Sequence, residues 1–449
     1  MRDRNLNFEI NQLYMNIPKT SLPRVVVIGG GFAGMSLAKQ ILKEKVQLVL
    51  LDRNNYHTFQ PLLYQVSTAG LEPDSIAYPL RKIIRESDDC YFRLTEVKSI
   101  NPELNTIHTA IGDITYDYLV IATGSKTNFF GNKSIEDNAM WMKTVPQALN
   151  IRSLILENLE QAVITDDAEK RKALLNFVLA GAGPTGVELS GAIAELRNNV
   201  VPKDYPDLDP NEMQIHLLEG LERVLPPMSE TASKKAEKFL KELGVQIHLN
   251  TMVENYDGHV VKTNTDLELR SETFIWSAGV TGAPVKGLNA SALVEKANRY
   301  EVNVFNQVNG YENVFAIGDI ALMKSEEYPK GHPMVAQPAI QEGKHLAKNL
   351  KRLIKGEKLE PFEYFDKGTM ATIGRNKAVV DIGKFKFGGF FAWFIWMFIH
   401  LWFLIGTRNR MVTFFNWVYN YVNYDKAARL IIRPFKKNRK NLEEDQKLV

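Results

Sequence analysis

Cysteine is almost absent from this chain: Cys90 is the only one in 449 residues. An internal disulfide, a C-x-x-C redox pair and a cysteine-ligated iron-sulfur cluster are therefore excluded. A lone cysteine is more often a small buried hydrophobe than a nucleophile. A large charge excess is missing too. The formal net charge is +3, too mild to call for a nucleic-acid partner. Residues 1–23 are polar and mixed in charge, without the apolar stretch of a secretory signal. They read as a short arm, and the chemistry is expected on the cytoplasmic side. What remains is ordinary globular composition, 45% hydrophobic and 24% charged, in a chain long enough for two or three domains.

The informative feature is a repeat. Val25-Val26-Val27-Ile28 leads into Gly29-Gly30-Gly31-Phe32-Ala33-Gly34. Phe177-Val178-Leu179-Ala180 leads into Gly181-Ala182-Gly183-Pro184-Thr185-Gly186. Each reads as a buried strand, a tight turn and the start of a helix, with glycines at G-x-G-x-x-G spacing. The first glycine permits the turn, the second lets backbone amides approach a pyrophosphate, and the third lets the helix pack close. One such run is weak evidence. Two, about a domain length apart, predict two dinucleotides on one chain.

Acids follow each run. Asp52 ends the strand Val46–Leu51 about 20 residues past the first glycines, where a carboxylate reaches a ribose hydroxyl; a helix cap or surface acid is the alternative. After the second run, a Pro/Asp-rich insertion at residues 201–210 delays the corresponding strand, so Glu219 stands farther out than usual. It is still taken as the ribose acid, and Glu there favours NADH over NADPH. The loop from Asn54 to Gln65 is dense in aromatic and amide groups and suits the wall of an isoalloxazine ring; His57 in it reads as structural. Two further strands end in small residues, Ala122-Thr123-Gly124 and Ala278-Gly279. Each either lies beside its own nucleotide or is plain strand-to-loop punctuation. A strand ending in Gly318-Asp319 offers close approach and an acceptor for a ribityl hydroxyl. Pro338 suits the first turn of a helix in which Gln337 and Gln341, four apart, share a face. The N-terminus of that helix could face the negative charge of a reduced flavin.

Taken together, Gly29–Gly34, Phe59-Gln60-Pro61-Leu62-Leu63-Tyr64-Gln65, Gly181–Glu188, Gly318-Asp319 and Ala336-Gln337-Pro338-Ala339-Ile340-Gln341 make the chain resemble the type II NADH:quinone oxidoreductases, the non-pumping NADH dehydrogenases. The resemblance implies that the first glycine unit holds FAD, through Gly29, Gly31, Phe32, Ala33, Gly34, Asp52, Gln60, Ala122, Thr123, Gly124, Gly318, Asp319, Ala336 and Gln337. It implies that the second holds NADH, through Gly181, Gly183, Pro184, Thr185, Gly186, Glu188, Glu219, Ala278 and Gly279. It further implies that Gln337 and Gln341 border quinone and flavin, and that Glu188 and Lys377 take part in the reaction. A monotopic enzyme on the cytoplasmic face of the inner membrane, and a homodimer, are the expected setting. No metal is implied.

Residues 388–406 are apolar and aromatic, with His400 the one ionisable group. At about 19 residues the run just reaches the length of a membrane span. Arg408, Arg410, a second aromatic run at 411–422 and a basic tail (Arg429, Arg433, Lys436, Lys437, Arg439, Lys440) follow. An in-plane anchor with a basic rim drawn to anionic lipid fits that order better than a single span, and better than a core helix. The expected architecture is α/β: two Rossmann-type domains for FAD (24–140 and 283–385) and NADH (141–282), an arm (1–23), and a C-terminal helical membrane anchor (386–449). Three rivals share the two glycine units. A sulfide:quinone oxidoreductase needs at least two redox cysteines. A ferredoxin reductase has no use for the apolar tail. A nucleotide-sensing membrane protein would not need Glu188, Gln337 and Gln341.

Overall fold

A computed structural model describes residues 15–84, 88–423 and 428–433. It divides into two compact units. One takes in the chain up to His57, Pro79–Lys126 and Thr281–Asp366. The other comprises Thr58–Tyr78, Thr127–Val280 and the chain from Lys367 onward.

The first unit is built on a five-stranded parallel sheet ordered Val314–Ala316, Tyr118–Ile121, Arg24–Ile28, Gln47–Asp52, Cys90–Leu94. Val25, Val26 and Val27 in the central strand are wholly buried, as their unbroken apolar run requires of a strand covered on both faces. The chain leaves that strand to one neighbour and returns on its other side, so strand order reverses there and a crevice opens at its C-terminal end. The helices Phe32–Ile41 and Ala336–Ile354 pack together. Their close approach depends on Gly343, where a Cβ would stand 2.3 Å from the Ala33 carbonyl oxygen. The end of the N-terminal arm is part of this unit: Met15 is buried in its core, and the Arg93 guanidinium donates to the Met15 and Asn16 carbonyls at 2.5 Å. Residues 1–14 of the arm lie outside the described residues.

The second unit repeats the plan with a parallel sheet ordered Met140–Trp141, Thr273–Trp276, Asn176–Ala180, Gln214–Leu218, Gln246–His248. The 201–210 insertion folds as a short helix, Val201–Asp204, and a 3-10 turn, Pro210–Glu212, before the next strand.

Segments expected elsewhere also cluster with this unit. Residues 367–385 belong with it rather than with the first unit, and the C-terminal helices do not stand apart. The antiparallel sheet Thr369–Gly374, Lys377–Ile382, Phe385–Gly388 lies against the helix Pro184–Asn199. A Cβ on Gly191 would sit 2.4 Å from the Ile373 carbonyl oxygen. Asp381 caps the helix after Ser229, accepting from its N–H at 2.6 Å and from its hydroxyl at 2.8 Å. The Arg375 N–H bonds Glu195. These bonds span about 150 residues or more of sequence, which is why the division after Asp366 was not visible in the chain order and was expected at residue 385 instead.

The C-terminal helices are Phe390–Phe403 and Thr407–Asn423. The first has 14 residues, about 21 Å of rise, short of the ~30 Å of hydrocarbon that a span must cross. Among the described residues no helix is long and apolar enough to cross a membrane, so the single-span reading of 388–406 is set aside. A core helix is set aside as well, because Phe391, Phe394, Phe398 and Trp402 are each more than half exposed. The second helix is fastened by a polar stripe. Asn409, Asn416, Trp417 and Asn420 donate to the Ala77 carbonyl, Glu72, Gln65 and the Gly70 carbonyl at 2.6–3.1 Å.

We expect Gly191→Ala to destabilise the protein by about 1–3 kcal/mol through overpacking against the Ile373 backbone, read as a lowered thermal unfolding midpoint. An unchanged midpoint would show that the sheet can shift without cost.

Candidate functional site

Each glycine run forms the same turn. Gly29 has φ +108° and Gly181 φ +97°, a region glycine enters without strain. A Cβ on Gly29 would stand 2.3 Å from the Ala122 carbonyl oxygen, and one on Gly181 2.7 Å from the Ala278 Cα. The small-residue strand ends at Ala122 and Ala278 thus press against the turns. Gly34 and Gly186 face the carbonyls of Gly29 and Gly181, each at 1.9 Å from where a Cβ would be. By contrast, Gly31 and Gly183, the caps that open the helices Phe32–Ile41 and Pro184–Asn199, have nothing within 4 Å of that position. Both turns therefore pass the test for a dinucleotide. Backbone is packed to its limit behind the loop, while the helix N-terminus opens in front of it, where a pyrophosphate is attracted.

The two acids match in detail. Asp52 accepts from the Gly30 N–H at 2.6 Å and from the Asn54 N–H at 2.7 Å. Glu219 accepts from the Ala182 N–H at 2.6 Å and from the Leu221 N–H at 3.0 Å. Gly30 and Ala182 occupy the same place in the repeat, so the insertion lengthened the spacing without moving the carboxylate. Burial raises the Asp52 pKa, against the pull of its two backbone donors and of Arg53.

Within the first unit Gly318, at φ +76°, donates its N–H to the buried Glu342 at 2.6 Å. Asp319 accepts from the Ser125 hydroxyl at 2.6 Å, and the Thr123 hydroxyl donates to the Ala283 carbonyl at 2.7 Å. Ala336 and Gln337 open the helix Ala336–Ile354. The Gln341 carboxamide is held at both ends by the Phe365 backbone, donating at 2.9 Å and accepting at 3.1 Å. Its first job in the fold is to tie down residue 365, a role the pairing with Gln337 did not suggest.

In the second unit Gln60 lines a cavity of about 110 Å³ with Lys143, Thr185, Leu189, Ser277 and Gly279. It thus stands among residues of the second glycine unit, whereas the resemblance assigned it to the first. A second cavity, of about 130 Å³, is walled by Tyr64, Gln65, Trp393, Trp396, Trp417 and Tyr421 and reaches Glu188. Gln65 is held from both sides, donating to the Tyr64 hydroxyl at 2.8 Å and accepting from the Trp417 indole at 2.7 Å. Glu188 is 8% exposed. Burial pushes its carboxyl up to about 8, only partly opposed by the Thr372 N–H at 3.4 Å and the Trp396 indole. Lys377 is not part of that cavity: its ammonium lies 2.8 Å from Glu242 and over the Phe239 ring. Sequence reasoning missed Thr372, Trp396 and Trp417 as neighbours of Glu188. No motif marks them, since the indoles read as anchor residues.

Two family models match. One, pyridine nucleotide-disulphide oxidoreductase, covers residues 23–343, and the NDH2 C-terminal domain covers 367–423. Type II NADH:quinone oxidoreductase NdhA of Mycobacterium tuberculosis is 37% identical over 410 residues, 88% of this chain and 86% of that one. The chain belongs to the type II NADH:quinone oxidoreductases. A family member from Staphylococcus aureus is 31% identical over 365 residues, covering 79% of this chain and 89% of its own. NDH2 of Plasmodium falciparum, solved in complex with NADH, shares the fold at TM-score 0.83 and 22% identity, with 92% of this chain and all of that one covered. The sulfide:quinone oxidoreductase of Aquifex aeolicus shares it at TM-score 0.69 and 19% identity, with 92% and 97% covered. With Cys90 alone, this chain lacks the cysteines that sulfur chemistry would need.

Glu188 carries a stability signature. Its folded pKa of about 8 lies above the ordinary value of 4.5, so the folded state keeps a proton that the unfolded state releases. The stability it contributes is fully present below pH 4.5 and is lost as pH rises towards 8. In Glu188→Gln the fall in unfolding midpoint between pH 5 and 8 should flatten, and the gap between variant and wild type should widen with pH. A constant gap would mean that the carboxyl is already ionised in the fold.

Proposed function

We propose that the chain oxidises NADH and reduces a membrane quinone by way of FAD, without moving protons across a membrane. The observation that carries this reading is the doubled cradle, two glycine turns each hydrogen-bonded to its own acid, in one chain of this family. NADH belongs to the second cradle, where Glu219 meets the adenosine ribose; a carboxylate at that place repels a 2′-phosphate. FAD belongs to the first cradle, with Asp52, Gly318 and Asp319 as its polar partners. When bound, FAD accepts the hydride of NADH and delivers two electrons to the quinone.

The protein's own part is binding, orientation and proton supply. Forming the quinol consumes two protons, one from solvent and one that arrives with the hydride. A carboxyl that stays protonated to about pH 8 at the end of a tryptophan-walled cavity can hold and release such a proton, and Glu188 has that role in the proposal. Gln337 and Gln341 border the quinone. Gln341 does so while bridging to the Phe365 backbone, and it therefore positions as well as binds. Lys377, paired with Glu242, is kept only as an outlying contributor to proton supply.

The membrane is reached through the helices Phe390–Phe403 and Thr407–Asn423, lying in plane. Phe391, Phe398, Trp402, Phe415 and Val422 present an apolar face with exposures of 60–70%, well beyond the scattered apolar residues of a soluble surface. Among the described residues much of the basic rim is paired with acids. Arg429 pairs with Asp204 at 2.6 Å and Arg433 with Glu157 at 3.4 Å, while Arg408 meets Asp74 at 3.3 Å. Lys436, Lys437, Arg439 and Lys440 lie outside the described residues. Apolar burial, with anionic lipid second, is the attraction we propose. Attachment to the cytoplasmic side of the inner membrane and a homodimer complete the reading, both on the family resemblance.

The deciding experiment is an absorbance spectrum of the purified protein. A flavin band should bleach on adding NADH and return on adding a water-soluble quinone. A protein that is bleached but not reoxidised would be a reductase for another acceptor or a sensor. Separately, replacing Phe391, Phe398 and Phe415 together with serine should cut binding to lipid vesicles at least tenfold, since each buried ring is worth about 1.5–3 kcal/mol. Binding that persists at low salt and vanishes at high salt would instead put the attraction in the basic residues.

A further inference from the structure

His57 reads in the sequence as a structural histidine. In the fold it is 2% exposed, its ring edge-on to Phe32 at 5.0 Å. Its Nδ1 stands 2.9 Å from the Gly30 carbonyl oxygen. A carbonyl only accepts, so Nδ1 carries the hydrogen and the ring is a neutral donor. Burial pushes its pKa down to about 4, so it adds no charge at neutral pH.

The bond has a geometric consequence. Gly30 is gripped on both sides: its N–H by Asp52 at 2.6 Å, its carbonyl by His57. In a trans peptide the C=O and the following N–H point in opposite directions. Fixing the Gly30 carbonyl on His57 therefore turns the Gly31 N–H the other way. Gly31 caps the helix Phe32–Ile41, and nothing lies within 4 Å of where its Cβ would be. A free loop of three glycines samples many orientations of that peptide; the imidazole selects one.

We propose that His57 is a positioning residue for FAD, which locks the Gly30–Gly31 peptide so that the Gly31 N–H is presented to the cofactor's pyrophosphate. The inference rests on the reading that the first cradle holds FAD, and it deepens that reading by naming the side chain that sets the loop. In the second repeat the matching carbonyl, that of Ala182, is held instead by a backbone donor, the Leu225 N–H at 2.8 Å.

The test is the FAD dissociation constant of the apoprotein, read by quenching of flavin fluorescence, for wild type, His57→Phe and His57→Asn. Phe keeps the ring and its contact with Phe32 but cannot donate. Asn leaves a packing defect but places an amide N–H where Nδ1 stood. We expect His57→Phe to weaken FAD binding about tenfold, the scale of one hydrogen bond, and His57→Asn to stay within about threefold of wild type. Should Phe bind as tightly as wild type, or Asn bind as weakly as Phe, the lock is refuted and His57 only fills space. His57→Leu repeats the comparison if Phe does not fold, with NADH binding by the second unit as the check on folding. A wild-type apoprotein that binds no FAD would instead sink the cofactor assignment itself.

Discussion

A single arrangement underlies both halves of the molecule: a carboxylate at the end of the second parallel strand, partly buried in Asp52 and buried in Glu219, accepts the N–H that follows the first glycine of the turn. Asp52 does this for Gly30 and Glu219 for Ala182, each at 2.6 Å. The bond joins strand, turn and acid into one rigid piece. A charge-assisted bond of this kind offsets part of the cost of burying a carboxylate. It also leaves the remaining lone pairs of each acid for a ligand's hydroxyls. The turn needs glycine at its ends because backbone runs behind it at less than contact distance. It needs open space in front because the helix N-terminus must be reachable. Everything proposed about hydride transfer presumes that these two loops hold their shape before a nucleotide arrives.

The second unit is more than a nucleotide domain. Its helix Pro184–Asn199 begins at the phosphate turn and carries Glu188 on its second turn. The short helix Leu63–Ser67, which holds Tyr64 and Gln65, and the sheet starting at Thr369 both pack around that helix, and the C-terminal helices close the cavity with Trp393, Trp396 and Trp417. Desolvation in this aromatic box is the main reason the Glu188 carboxyl resists ionisation. An uncompensated carboxylate there would cost several kcal/mol, so the site pays for a group that is neutral at rest. Such a group is suited to giving up a proton and unsuited to standing as a permanent charge.

The outer face of the same helices is equally one-sided. Trp396 and Ala392 point inward and are wholly buried or nearly so, while phenylalanines and Trp402 point outward. Asparagines on its inner stripe tie the second helix down, helped by the Arg408–Asp74 pair at its start. This division gives one pair of short helices two faces. One completes a cavity and the other leaves apolar side chains exposed, on helices too short to cross a membrane.

How much of this was legible beforehand differs by residue. The two turns, Asp52 and the two parallel sheets could be read from the chain, because glycine spacing, strand hydrophobicity and the distance to an acid are local properties that short-range sterics dictate. Glu219 was legible only in part, since an insertion broke the spacing while leaving the carboxylate in place. Only the tertiary structure could assign residues 367–385 and the segment 58–78 to the second unit, tie Gln341 to Phe365, turn Lys377 towards Glu242, and surround Glu188 with indoles. Each of those depends on contacts between segments far apart in the chain, where packing decides among partners that the sequence leaves equally available.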